Sequence, residues 1–211
     1  MNFVITYDIE DDRRRLEVSE YLLRYGERVQ YSCFEVSIFP ETLVELVSLN
    51  LRRLAIGEFD RVFLYPISEF SRKYIIRFSL SIRDTEESFD ELLELFFNQK
   101  TRFQRFKYLT LIEDDIDLQI KIGKFEKYLI IYDLEDNYVR NRFSKFLSRF
   151  GFRAQLSVFE IDAVPSALTE IIVESRRVSR YGRVHIYPLD ERSYKRIIRI
   201  GKPYSPIDGI I

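Results

Sequence analysis

The chain is written twice. Residues 4–40, VITYDIEDDRRRLEVSEYLLRYGERVQYSCFEVSIFP, align without a gap on residues 129–165, LIIYDLEDNYVRNRFSKFLSRFGFRAQLSVFEIDAVP, at a constant offset of 125. Tyr7-Asp8 meets Tyr132-Asp133, Glu10-Asp11 meets Glu135-Asp136, Arg15 meets Arg140, and Gly26 meets Gly151. Arg28, Gln30, Ser32, Phe34 and Glu35 meet Arg153, Gln155, Ser157, Phe159 and Glu160. Further on the offset falls to 122, where Leu64-Tyr65-Pro66 meets Ile186-Tyr187-Pro188 and Ile75-Ile76-Arg77 meets Ile197-Ile198-Arg199. Internal self-similarity constrains a fold before any motif does. It divides this chain into units at 1–82 and 125–211, joined by 83–124.

Each unit reads as β-α-β followed by α-β-β. Residues 2–8 are a short apolar run and read as a strand. Asp11 or Asp12 can cap the helix that follows, and Gly26 is placed to end it as a C′ residue. Residues 28–39 alternate along one long strand, and Pro40 opens a second helix with the stripe Leu43, Leu46, Val47, Leu51 and Leu54. Residues 61–66 and 72–80 read as further strands. The second unit repeats the order at 126–133, 136–150, 152–162, 163–178, 183–188 and 193–200. The fold class expected is α+β, with two ferredoxin-like (βαββαβ) units whose helices lie on one face of an antiparallel sheet.

The first strands are apolar on both faces: Phe3, Ile5 and Tyr7 on one, Val4 and Thr6 on the other. Helices cover one face only, so the other is expected against the sheet of the sister unit. A unit of roughly 80 residues is marginal alone, which favours an intramolecular pseudo-two-fold dimer with facing sheets. In the second strands the set Gln30, Ser32 and Phe34 is identical to Gln155, Ser157 and Phe159. A face of that make-up suits a symmetric interface, with direct chemistry as the rival use. The joining segment holds an amphipathic helix at 88–99, SFDELLELFFNQ, and an acidic run at 113–117.

The 211 residues carry 33 basic and 34 acidic groups, a net charge of −1, so no overall basic field draws the chain to nucleic acid. Charge is uneven, however. Residues 1–82 are net −2, residues 83–124 net −3 and residues 125–211 net +4, so the second unit is the better placed to meet phosphate. One Cys, Cys33, and one His, His185, exclude an internal disulfide and an ordinary His/Cys zinc site. Both read as packed strand residues. No apolar run approaches the roughly 20 residues that span a bilayer, and MNFVITYDIEDDRRR lacks a signal-peptide pattern. The expectation is a soluble cytoplasmic protein with no membrane partner.

Asp8 and Asp133 each end an apolar strand where a loop begins. Across a two-fold axis the two carboxylates can approach, and such a pair needs a cation or a proton between its charges. Hard oxygen ligands suit Mg²⁺ or Mn²⁺, which can activate water against a phosphodiester. A strand-end Asp that satisfies a turn or a helix start is the alternative. Arg13, Arg14 and Arg15, with Arg28, and the second unit's Arg140, Arg142 and Arg153 can hold phosphates without reading bases, or form a solvated face.

The run YDIEDD…RR…YGERVQYSCFE then VFLYPI, and again YDLEDNYVRNRF…RFGFRAQLSVFE then VHIYPL, resembles the CRISPR-associated protein Cas2 family. The resemblance covers 1–82 and 125–211 and leaves the joiner unexplained. It implies a ferredoxin-like homodimer whose last strands cross to the partner sheet, here fused into one chain. It implies a DNA-binding structural subunit that bridges Cas1 integrase dimers along double-stranded spacer-precursor DNA in spacer acquisition. Some members are also described as metal-dependent nucleases of RNA or DNA. On that resemblance the metal-binding and catalytic Asp carries over to Asp8 and Asp133, with Mg²⁺ or Mn²⁺ as cofactor. The nucleic-acid arginines carry over to Arg15, Arg28, Arg140, Arg142 and Arg153, with Glu17 standing where the second unit has Arg142. The supporting residues carry over to Tyr7, Tyr132, Ser32, Ser157, Phe34 and Phe159. A stand-alone Mg²⁺-dependent endonuclease, or a toxin-like ferredoxin-fold ribonuclease, is the alternative.

Overall fold

The computed structural model of the chain describes residues 1–55, 57–79 and 124–202. The expected helix at 88–99 and the rest of the joiner before residue 124 lie outside them. The first unit runs β1 (Asn2–Asp8), α1 (Asp12–Leu22), β2 (Gly26–Gln30), β3 (Cys33–Ser37), α2 (Pro40–Glu45), a π-helical stretch (Leu46–Leu51), α3 (Arg52–Leu54), β4 (Arg61–Ile67), α4 (Glu69–Arg72) and β5 (Ile76–Ser79). The second runs β6 (Lys127–Leu134), α5 (Asn137–Leu147), β7 (Gly151–Gln155), β8 (Val158–Asp162), α6 (Pro165–Val178), a 3-10 turn (Ser179–Tyr181), β9 (Gly182–Leu189), α7 (Glu191–Tyr194) and β10 (Ile198–Ile200). Asp11, not Asp12, caps α1 by accepting from the Arg14 amide, and Asp136 caps α5 in the same way.

Two five-stranded antiparallel sheets result, in the orders β10-β4-β1-β3-β2 and β5-β9-β6-β8-β7. Each sheet takes its outermost strand on one side from the other unit. Ile198 to Ile200 pair with Leu64 to Val62, and Ile76 to Ser79 pair with Ile186 to Arg183. The run expected as a strand over 72–80 therefore splits: α4 takes its start and only Ile76–Ser79 is extended.

Side-chain alternation sorts β1 as the sequence indicates. Phe3, Ile5 and Tyr7 enter the helix-covered core of the first unit with Val18, Leu22, Leu46, Leu51 and Leu64. Tyr128, Ile130 and Tyr132 do so in the second, with Phe143, Leu147, Leu168 and Ile172. The opposite faces close on each other. Val4, Cys33, Phe63, Tyr65 and Ile67 of one unit pack in a single cluster with Leu129, Ile131, Ala154, Val158, Tyr187 and Leu189 of the other.

The long strand expected at 28–39 is instead a hairpin turning at Tyr31-Ser32, and the second unit turns likewise at Leu156-Ser157. This corrects the reading of Gln30, Ser32 and Phe34 as one face. Cross-strand partners in a hairpin share a face. Gln30 pairs with Cys33 on the inter-sheet side, whereas Phe34 pairs with Arg28 on the helix side. Phe34 and Phe159 therefore stack on Tyr7 and Tyr132 inside the helix-covered cores. Of the repeated Gln, Ser and Phe, the glutamine is the one that bonds across the interface. Gln30 Nε2 donates to Ile131 O at 3.2 Å, and Gln155 Nε2 donates to Thr6 O at 3.3 Å. Gly26 is not a helix cap but the first residue of β2, where a Cβ would lie 2.0 Å from Glu35 O; Gly151 faces Glu160 O at the same distance.

Two polar sets tie the sheets. The Tyr65 hydroxyl donates to Glu160 at 3.0 Å, and Arg199 donates to both oxygens of that carboxylate at 2.7 and 2.6 Å. Tyr187 donates to Glu35 at 2.8 Å, and Arg77 donates to both its oxygens at 2.6 and 2.8 Å. His185 adds a contact to the Tyr187 hydroxyl at 3.2 Å, where the first unit has Phe63. Burial, with Arg77 nearby, pushes His185 down to about 4, so it is a neutral packed histidine at physiological pH. Phe125, just ahead of β6, packs on Phe70 and Tyr74 of the first unit.

The first unit is three residues longer between Pro40 and Tyr65 than its counterpart, as the change of offset records. The π-helical stretch and the loop after α3 absorb the excess. That loop is held by Asp60, whose carboxylate accepts from the Gly57 amide at 2.7 Å, the Glu10 amide at 3.1 Å and the Arg14 guanidinium. Burial alone would raise the Asp60 pKa, but these donors outweigh it and hold the carboxyl below its usual range.

Candidate nucleic-acid interface

Asp8 is the last residue of β1 and Asp133 the last but one of β6, the central strands of their sheets. The Leu156 amide, at the tip of the second unit's hairpin, approaches Asp8 Oδ2 at 3.4 Å. The neighbouring Ser157 carbonyl accepts from the Tyr132 amide at 3.1 Å, one residue before Asp133. Both aspartates thus sit at the same end of the molecule, with the tip 156–157 beside them. Antiparallel register places an arginine opposite each: Arg61 faces Asp8 and Arg183 faces Asp133. Arg183 also crosses the units, donating to Val29 O at 3.3 Å. Sequence reasoning missed this pair, although both match at the offset of 122.

The two carboxylates differ. Asp8 is half-buried and Asp133 is exposed. Burial pushes the Asp8 carboxyl above its usual range, opposed by the Leu156 amide and by the charges of Arg61 and Arg153. A carboxyl raised in the folded state penalises folding where it is ionised, and the penalty vanishes below the unfolded pKa near 3.9. Asp8→Asn keeps the acceptor for Leu156 and removes the charge. It is expected to raise the urea midpoint at pH 7 and to leave it unchanged below about pH 3. Urea titrations at the two pH values check this; a lowered midpoint at pH 7 would contradict it.

Four of the five expected arginines are tied to their own unit near this end. Arg15 reaches Ile9 O at 3.2 Å and pairs with Asp12; Arg140 reaches Leu134 O at 3.4 Å and bonds Asn137. Arg28 bonds Ser19 Oγ and lies 5.4 Å from the Phe34 ring centre. Arg153 folds onto its own turn, with Nε 3.0 Å from Leu156 O. Arg142 is exposed on α5, while its counterpart Glu17 is paired with Arg13 at 3.2 Å. Tyr7 and Tyr132 are buried beneath these arginines, and Ser32 and Ser157 serve the turns through their carbonyls.

The donor set does not fit a resident metal ion. Among the described residues no three His, Cys, Asp or Glu side chains gather as a set that could hold one. Arginines stand opposite both aspartates where a bound cation would be repelled. Two carboxylates would supply at most part of an octahedral shell, leaving the rest to water and phosphate.

The profile of the CRISPR associated protein Cas2 family matches residues 1–74 and again residues 126–197. Among curated proteins, the CRISPR-associated endoribonuclease Cas2 3 of Synechocystis is 44% identical over 66 residues, 31% of this chain and 71% of that protein. The CRISPR-associated endonuclease Cas2 2 of Thermus thermophilus is 38% identical over 66 residues, 31% of this chain and 72% of its own. The CRISPR-associated endoribonuclease Cas2 3 of Chloroflexus aurantiacus is 32% identical over 83 residues, 39% and 88% of the two chains. A solved structure of Streptococcus pyogenes Cas2 covers 35% of this chain and 94% of its own at 26% identity, with a TM-score of 0.32. Each relative matches about one unit's worth of sequence, and the family profile is met twice. This chain belongs to the Cas2 family and carries two Cas2 units in one polypeptide.

Proposed function

We propose that the chain is a structural, nucleic-acid-binding subunit of CRISPR adaptation, which bridges Cas1 integrase dimers along double-stranded spacer-precursor DNA in the cytoplasm. The observation that carries this reading is the shared end on which both units present their strand-end aspartates among arginines. Asp8 accepts from the Leu156 amide of the other unit, with Arg61 and Arg153 nearby, which suits an architectural role. Arginines fixed by their own strand-helix loops and turns can meet phosphates at low entropic cost. Among the described residues no helix is long and apolar enough to cross a membrane.

The test is co-purification of the chain with the Cas1 integrase and a short duplex, for the native protein and for Asp8→Ala/Asp133→Ala. The expected result is a complex of equal yield from both proteins, weakened steeply by added salt, with no cleavage of RNA or DNA in Mg²⁺ or Mn²⁺. A second reading, a metal-dependent nuclease, draws on the endoribonuclease and endonuclease names of the relatives. There Asp8 and Asp133 would receive Mg²⁺ together with substrate phosphates. Absence of the complex, with cleavage lost in the double variant, would favour that reading over the first.

A further inference from the structure

The two hairpin tips are equivalent in place and unlike in make-up. In the second unit the tip residue is Leu156, and Arg153 is locked onto its carbonyl through two guanidinium nitrogens. In the first unit the tip residue is Tyr31, 61% exposed, and Arg28 turns away from the backbone of the tip. Two guanidinium groups instead stand over the Tyr31 ring, Arg15 at 5.9 Å and Arg28 at 6.0 Å from its centre. An aromatic ring left this exposed contributes little to folding, and its polar hydroxyl has no acceptor among the described residues. The two cations lie at the outer range of a cation–π contact with the ring and bias its orientation. Both guanidinium groups are close enough to the ring to meet the phosphate of a nucleotide held there.

We infer that Tyr31, with Arg15 and Arg28, is a stacking platform for one unpaired nucleobase of a single strand, present in the first unit only. This rests on the nucleic-acid reading above and adds to it a ligand class and a division of labour. The second unit, net +4, supplies more of the phosphate attraction, and the first supplies a base contact. Base–aromatic stacking tolerates any base, because every base has a π-face. The platform therefore recognises a strand by its being unpaired and not by its sequence.

The experiment uses the full chain and three end-labelled 20-mers: single-stranded DNA, single-stranded RNA and duplex DNA. Affinities are read by anisotropy for the native protein, Tyr31→Phe, Tyr31→Ala and, at the other tip, Leu156→Ala. The expected result is a loss of about tenfold on single strands for Tyr31→Ala, none beyond twofold for Tyr31→Phe or Leu156→Ala, and none on the duplex. The slope of affinity against salt is expected to stay the same in Tyr31→Ala, since no phosphate contact is removed. The DNA and RNA arms decide which single strand is held. Equal single-strand affinity of Tyr31→Ala and native protein overturns the inference, as does an equal loss on the duplex. Native protein that binds duplex but neither single strand overturns the inference and leaves the proposed function standing. Native protein that binds none of the three overturns the inference, and co-purification with the Cas1 integrase and duplex then decides the proposed function separately. Circular dichroism guards against misfolding, and the exposed turn position makes the variants mild.

Discussion

Glu160→Ala is expected to cost about 3–5 kcal/mol of stability, the range for removing one partner of a buried ion pair. Glu160 is 2% exposed and accepts three hydrogen bonds from two elements, the Tyr65 hydroxyl on β4 and the Arg199 guanidinium on β10. Alanine leaves a buried hydroxyl and a part-buried cation without their acceptor, and it does so where β10 is stitched onto the sheet of the first unit. The pseudo-equivalent Glu35→Ala should cost less. The Glu35 side chain is 21% exposed, so water can reach Arg77 and Tyr187 once the carboxylate is gone. Urea unfolding of the two variants checks both the size and the order. Equal losses would mean that the two sets, alike in their bonds, do not feel the difference in burial.

The larger effect is expected from separating the units. Neither 1–82 nor 125–211 should fold as a monomer, because each sheet borrows an edge strand from the other unit. Each unit alone would also expose its side of the inter-sheet cluster. That cluster holds Val4, Phe63, Tyr65 and Ile67 from one unit and Leu129, Ile131, Val158, Tyr187 and Leu189 from the other. At about 1.5–3 kcal/mol per large apolar side chain, burying these nine contributes about 14–27 kcal/mol before the entropy of ordering is counted. That gross contribution is as large as the roughly 5–15 kcal/mol of net stability usual for a whole domain, so a lone unit that loses it has little left to fold on. The fused chain thus does by covalent connection what two separate chains would do by association, at an effective concentration set by the joiner.

The parts of this arrangement that depend on short-range pattern were legible. Alternation along β1 and β6 separated the helix-covered faces from the inter-sheet faces, and the doubling of the sequence indicated what would cover the second set. The hairpins were not legible, because Tyr31-Ser32 and Leu156-Ser157 carry none of the Gly, Asn or Asp that mark a two-residue turn. Alternation also continues through both turns, so the run looks like one strand. Asp60 was hidden because its match in the second unit is Gly182, and a single buried carboxylate has no period. Arg61 and Arg183 become partners of the aspartates only through the register of β1 with β4 and of β6 with β9. The Tyr65–Glu160–Arg199 set depends on strand exchange, which the residues alone do not specify. Asp8, Asp133 and the repeated arginines were legible as candidates because they recur at a fixed offset. The hydrogen bonds that hold most of those arginines to their own unit needed coordinates.

The most direct test of the fused, strand-exchanged dimer is to express 1–82 and 125–211 as separate chains, alone and together, and measure mass and secondary structure in solution. The account predicts that the co-expressed halves purify as a one-to-one pair with the circular dichroism of the intact chain. It also predicts that neither half gives a folded monomer alone. Two halves that are each monomeric and fully folded, and that ignore one another when mixed, would contradict it.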